Sequence, residues 1–162
     1  INHYDDFYRG VYNYNHPIWK KVKKNISDIK PDIVGIISYS TKLPATKHLT
    51  KWLENQNIPV YIGGPPETTW GTGVGISIKG EGEVQFAKIL HPELEINFDP
   101  LELIPDRKSL YRINDYRPND LGIVMGERGC PFNCYFCQTK AIWGQTIRKR
   151  SIDHIVKEIK LI

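Results

Sequence analysis

The chain lacks any run approaching the ~20 apolar residues that a membrane helix needs, and this excludes a helical membrane span. Its three cysteines are odd in number and crowded together and no secretory leader is read, so a disulfide framework is disfavoured. A second C-x2-C or an H-x3-H pair is also missing, so a structural zinc site would have to borrow a lone histidine, His91 or His154, as fourth ligand. No strong charge bias is present. A net charge of +4, with 40% hydrophobic and 25% charged residues in 162, describes an ordinary globular protein. Lys20, Lys21, Lys23 and Lys24 read as the wet side of a helix, so no nucleic-acid partner is assigned. A cytoplasmic protein is expected. The chain starts at Ile1 and stops within an apolar helix, and it is read as a piece of a longer one.

The cysteines that are present carry most of the information. Cys130, Cys134 and Cys137 lie within eight residues, spaced C-x3-C-x2-C. Thiolates are soft ligands that select zinc, copper(I) or iron–sulfur clusters. Pro131 and Asn133 favour the turns that let thiols converge, and Gly129 permits positive φ or close backbone approach. Three thiols are one fewer than a cubane cluster or a structural zinc usually takes, which leaves a position for chemistry. The apolar run 121–125 reads as a buried strand leading into this loop.

Upstream, helix and strand signals alternate. Ile18, Trp19, Val22, Ile26 and Ile29 form one helical face, and Ile33–Ile37 reads as a strand followed by Ser38-Tyr39-Ser40-Thr41. Ala45, Leu49, Trp52 and Leu53 line a second helix. A strand over 58–62 then runs into Gly63-Gly64-Pro65-Pro66. A weaker strand over 74–78 precedes Gly80-Glu81-Gly82-Glu83 and a helix carrying Val84, Ala87, Ile89 and Leu90. This β–α order predicts a parallel sheet with helices on both faces, its post-strand loops collected at one edge. Residues 92–120 hold four prolines and read as a connector. Ser151 caps a final helix whose apolar stripe is Ile152, Ile155, Val156, Ile159 and Ile162.

The cysteine loop, led by Glu127-Arg128-Gly129 and followed by Arg148-Lys149-Arg150-Ser151, resembles that of the radical S-adenosylmethionine enzymes. The resemblance implies that Cys130, Cys134 and Cys137 hold a 4Fe–4S cluster, with S-adenosylmethionine on the remaining iron and Phe136 near its adenine. It implies reductive cleavage of S-adenosylmethionine to a 5′-deoxyadenosyl radical that acts on a small-molecule substrate. An electron donor such as flavodoxin or ferredoxin is the implied partner. The first ninety residues resemble the cobalamin-binding domain that precedes the radical barrel in one branch of that family, through Gly35-Ile36-Ile37-Ser38, Gly63-Gly64 and Gly80-Glu81-Gly82-Glu83. The resemblance places Ser38, Tyr39, Ser40, Gly63, Gly64, Gly80, Glu81 and Gly82 at a cobalamin site, and where cobalamin binds it makes methyl transfer to an unactivated carbon a leading candidate for the parent protein.

The chain departs from the cobalamin pattern in having no Asp-x-His-x-x-Gly motif, and its first strand and helix are missing. Cobalamin then binds without a protein histidine, or only in the longer protein, or the domain is a scaffold. The expected fold is α/β: a truncated Rossmann-like (flavodoxin-like) domain over 1–91, a connector over 92–120, and the first β/α unit of a radical-SAM partial TIM barrel over 121–162. Such a piece is expected to be inactive alone. Two rivals stand beside this reading: a non-catalytic zinc module on a Rossmann-like domain, and a flavodoxin-like nucleotide or flavin binder with incidental cysteines.

Overall fold

A computed structural model of the chain describes residues 13–162. The chain divides into two compact units, Ile1–Gly82 and Glu83–Ile162. The connector expected at 92–120 lies wholly within the second.

In the first unit, α1 (Pro17–Ile29) starts on His16, whose side chain accepts from the Ile18 N–H, with Pro17 at the first helical position. It ends on Lys30 in the left-handed region. Then follow β1 (Val34–Ile37), a 3-10 turn at Ser40–Lys42, α2 (Leu43–Glu54), β2 (Val60–Gly63), α3 (Pro65–Thr69) and β3 (Ile76–Ser77). The strands form a parallel sheet in the order β1-β2-β3, with Val34 opposite Val60 and Tyr61 opposite Ile76. The mixed α/β class with a parallel, Rossmann-like sheet is therefore as the sequence suggested.

The core forms where β2 meets α2. Leu53, Val60 and Ile62 are fully buried, and Ile26, Val34, Ile36, Leu49, Trp52 and Ile58 pack against them. Each buried aliphatic side chain contributes about 1.5–3 kcal/mol by leaving water. Central position explains the pattern: β2 is covered by a strand on each side, so its β-branched residues are sealed.

From the unit boundary onward come α4 (Gly82–Leu90), 3-10 turns at Pro100–Glu102, Arg107–Ser109 and Ile113–Asp115, and α5 (Pro118–Leu121). The first two turns start on Asp99 and Asp106, whose carboxylates accept from the Leu101 and Lys108 N–H groups. Beyond lie β4 (Glu127–Arg128), α6 (Thr139–Trp143), β5 (Arg148–Lys149) and α7 (Ile152–Ile159). The strands β4 and β5 pair antiparallel, Glu127 opposite Lys149 and Arg128 opposite Arg148.

Two expectations meet a different outcome here. The run 121–125 is not a strand: Leu121 closes α5, and ladder pairing is confined to Glu127–Arg128. The reason is that the carbonyls of this run are taken by arginine side chains and not by a neighbouring backbone. On α7, the isoleucine stripe is largely exposed, with Ile152 at 79% and Ile159 at 55%, whereas Glu158 is buried. Among the described residues of this unit the buried ones are Leu101, Arg150 and Glu158, so an ion pair occupies the place an apolar stripe usually fills.

Candidate metal centre

The cysteine loop is an excursion between the paired β4 and β5. The Cys130 N–H donates to Gly144 O at 3.2 Å, and the Arg150 N–H donates to Gly126 O at 3.0 Å, so both stems are tied across the loop. Gly129 has φ +97°, and a Cβ there would stand 2.0 Å from Thr146 O. Glycine is required at this position both by handedness and by the close approach of the two stems.

Within the loop, the Cys137 N–H donates to Cys134 O at 3.1 Å, and Lys140 Nζ donates to Asn133 Oδ1 at 2.7 Å. Asn133 thus anchors the loop to α6 in addition to favouring a turn. The three cysteines are free, with Cys130 half-buried and Cys134 and Cys137 exposed. Cys137 Sγ lies 3.2 Å from Thr139 Oγ1. The Thr139 hydroxyl, and then its backbone N–H, stabilise the thiolate and hold Cys137 below the ordinary thiol value. Phe132, Tyr135 and Phe136 are exposed between the cysteines, and Tyr135 and Phe136 meet edge to face at 5.4 Å.

The donor set fits a soft metal in its chemistry: free thiols on one loop, one of them biased toward thiolate. Among the described residues no three His, Cys, Asp or Glu side chains stand together as a metal site. His154 and His91, the histidines available to a zinc reading, are engaged elsewhere. His154 Nδ1 lies 3.0 Å from Glu102 Oε2 and 3.2 Å from Arg150 Nε, and His91 Nδ1 lies 3.4 Å from Glu93 Oε1.

The segments flanking the loop have defined roles. Arg128 Nη2 pairs with Glu83 Oε1 at 2.6 Å, and Arg148 Nη1 with Asp99 Oδ1 at 3.1 Å. Arg150 is buried, and Ser151 Oγ caps α7 by accepting from the His154 N–H at 3.2 Å. Sequence reading missed Thr139, Lys140 and Glu158. Thr139, two residues past Cys137, was the one with a local signal.

In the first unit the loops after β1 and β2 touch at the C-terminal ends of those strands, and the loop at Gly80 touches α3. The Ser38 N–H donates to Gly63 O at 2.8 Å, and the Gly80 N–H donates to Thr68 Oγ1 at 3.0 Å. Gly64 has φ +101°, and a Cβ on it would stand 2.3 Å from Ser38 O. Ser38 is fully buried with Oγ 3.2 Å from Thr46 Oγ1, so its hydroxyl faces the helix below it. Tyr39 and Ser40 are exposed, whereas Gly63, Gly64, Gly80, Glu81 and Gly82 are half-buried.

The chain is similar, at low identity, to proteins named for methyl or methylthio transfer. It is 27% identical to an "Uncharacterized methyltransferase" of Pyrococcus horikoshii, over 87% of this chain and 39% of that protein. It is 28% identical to a "Putative methylthiotransferase" of Methanocaldococcus jannaschii, over 91% of this chain and 38% of that protein. It is 22% identical to the bacteriochlorophyllide d C-12(1)-methyltransferase of Chlorobaculum tepidum, over 80% of this chain and 32% of that protein. The chain therefore spans less than two-fifths of the length of these relatives. No family model matches it.

Proposed function

We propose that this chain is the cofactor-proximal part of a radical S-adenosylmethionine enzyme that transfers a methyl or methylthio group. Cys130, Cys134 and Cys137 hold a 4Fe–4S cluster, and Phe136 lies beside the bound S-adenosylmethionine. The observation that carries the reading is a set of three free thiols on one loop, in a chain whose relatives are named for methyl and methylthio transfer. When bound, the cluster supplies the electron that reduces the sulfonium.

The protein's own part is ligation and orientation. Gly129 allows the stems to close, and the Thr139 hydroxyl favours the thiolate that a metal requires. Lys140 braces the loop at Asn133. Cobalamin, seated on the loops at Ser38–Ser40, Gly63–Gly64 and Gly80–Gly82, is the second proposed cofactor. Its support is the contact of the first two of those loops at the C-terminal ends of β1 and β2, the side where open α/β sheets take ligands. The substrate is a small molecule, reduction is by a flavodoxin- or ferredoxin-like donor, and the protein works in the cytoplasm.

Anaerobic reconstitution with iron and sulfide tests the reading. About four irons per chain are expected, with a spectrum that changes when S-adenosylmethionine is added and is lost in Cys134→Ala. Stoichiometric, tightly held zinc with no stable cluster would favour the zinc module instead.

A further inference from the structure

We propose that Glu158 is a positioning residue for the cysteine loop, acting through Arg107 and Arg150 on both stems of that loop. Glu158 is 1% exposed. Its Oε1 accepts from Arg107 Nη2 at 2.6 Å, and its Oε2 lies 2.5 Å from Arg150 Nη1. The same two arginines hold the backbone that leads to the cysteines. Arg107 donates from Nε to Leu121 O at 2.8 Å and from Nη2 to Ile123 O at 2.9 Å. Arg150 donates from Nη1 to Met125 O at 2.9 Å, and its own N–H donates to Gly126 O.

Leu121, which closes α5, and Ile123 and Met125 in the irregular run after it each offer a carbonyl to these two arginines. The Arg107 guanidinium holds two of these carbonyls and the carboxylate from Nε and Nη2, and Arg150 Nη1 alone lies against both Met125 O and Glu158. Two cations gathered in one partly dry site repel each other, and Glu158 is the anion that keeps both in place. Residues 121–126 lead directly into β4 and Cys130. Arg150 directly follows β5 and precedes the Ser151 cap. One carboxylate therefore sets where the loop leaves and where it returns.

This inference rests on the reading of the loop as a soft-metal site, and two readouts separate the two claims. The first is amide hydrogen exchange in the full chain without metal. Glu158→Gln keeps the shape and removes the charge. Amides at 126–130 and 144–150 are expected to exchange at least about tenfold faster, with the β1–β3 sheet unchanged. Arg107→Lys keeps the charge but not the fork, and is expected to release 121–126 alone, giving a second variant should Glu158→Gln fold poorly.

The second readout is cobalt(II) titration, followed by the thiolate-to-cobalt charge-transfer bands. The unsubstituted chain is expected to show them, and Glu158→Gln to show them weakened per cobalt bound. Unchanged local exchange in both variants, or an equal rise across both units, overturns the positioning role. A missing charge-transfer band in the unsubstituted chain overturns the metal reading. In that case faster local exchange in Glu158→Gln still supports the clamp, and unchanged exchange still overturns it.

Discussion

Arg128 Nη2 stands 2.6 Å from Glu83 Oε1, so the residue two places before Cys130 is held by the first turn of α4. Glu83 ends the Gly-Glu-Gly-Glu turn and Arg128 belongs to Glu127-Arg128-Gly129, two motifs far apart in sequence that meet in one ion pair. The Arg128 side chain is 12% exposed and that of Glu83 35%, which places the pair between exposed bridges of little worth and fully buried ones. Arg128→Ala is expected to lower stability by about 1–2 kcal/mol. A double-mutant cycle with Glu83→Gln, read by urea unfolding, measures the coupling, and additive losses would contradict the pairing.

Acid should destabilise the second unit through Glu158. Burial pushes its carboxyl up, but hydrogen bonds from Arg107 and Arg150, with their charges, outweigh it and hold the group below its ordinary value of 4.5. The unfolded chain then binds the proton first. Stability is full above about pH 4.5 and is lost as pH falls through the native value. Glu67 has the same sign in the first unit. Burial raises it, and Ser77, Thr72 and the charge of Lys79 more than offset that. Urea midpoints measured from neutral pH down to about pH 3 should fall less steeply in Glu158→Gln than in the unsubstituted chain. Parallel curves would deny Glu158 its part.

The glycines differ in what they tolerate. Gly64→Ala brings a Cβ to 2.3 Å from Ser38 O at positive φ, and is expected to cost at least about 2 kcal/mol. Gly73→Ala meets no atom within 4 Å and bears the strain of positive φ alone, so its loss should be about 1 kcal/mol. Thermal unfolding of the two variants should rank them in that order.

Thr139 should control the reactivity of Cys137. In a background of Cys130→Ala and Cys134→Ala, iodoacetamide should alkylate Cys137 more slowly once Thr139→Val removes the hydroxyl. The effect should fade at alkaline pH, where the thiol is ionised in both proteins. Equal rates at neutral pH would show that the hydroxyl does not stabilise the thiolate.

Legibility in the sequence followed the range of the interactions. The helices at 17–29 and 43–54 and the strands around Val34–Ile37 and Val60–Gly63 were readable because apolar period and capping are local signals. The run 121–125 read as a strand because it has strand composition. Composition cannot report that the donors to its carbonyls are arginine side chains 14 and 25 positions away and not a backbone. The final helix misled in the same way. Its isoleucines recur at helical spacing, yet the side chain it buries is Glu158, whose partners Arg107 and Arg150 carry no periodic mark.

The sequence by itself determined the C-x3-C-x2-C spacing of Cys130, Cys134 and Cys137, because eight consecutive residues define it without help from the fold. It also determined α1, β1, α2 and β2 in the first unit through their local apolar patterns, but not α3 (Pro65–Thr69), which falls where the sequence reads as a Gly-Gly-Pro-Pro loop. Only the tertiary structure decided how the loop is held. Glu83 on Arg128, Thr139 on Cys137 and Glu158 on two arginines are contacts of charge and hydrogen bonding. Such contacts depend on distances of a few ångströms between side chains, and the long-range ones join residues that the chain order keeps far apart.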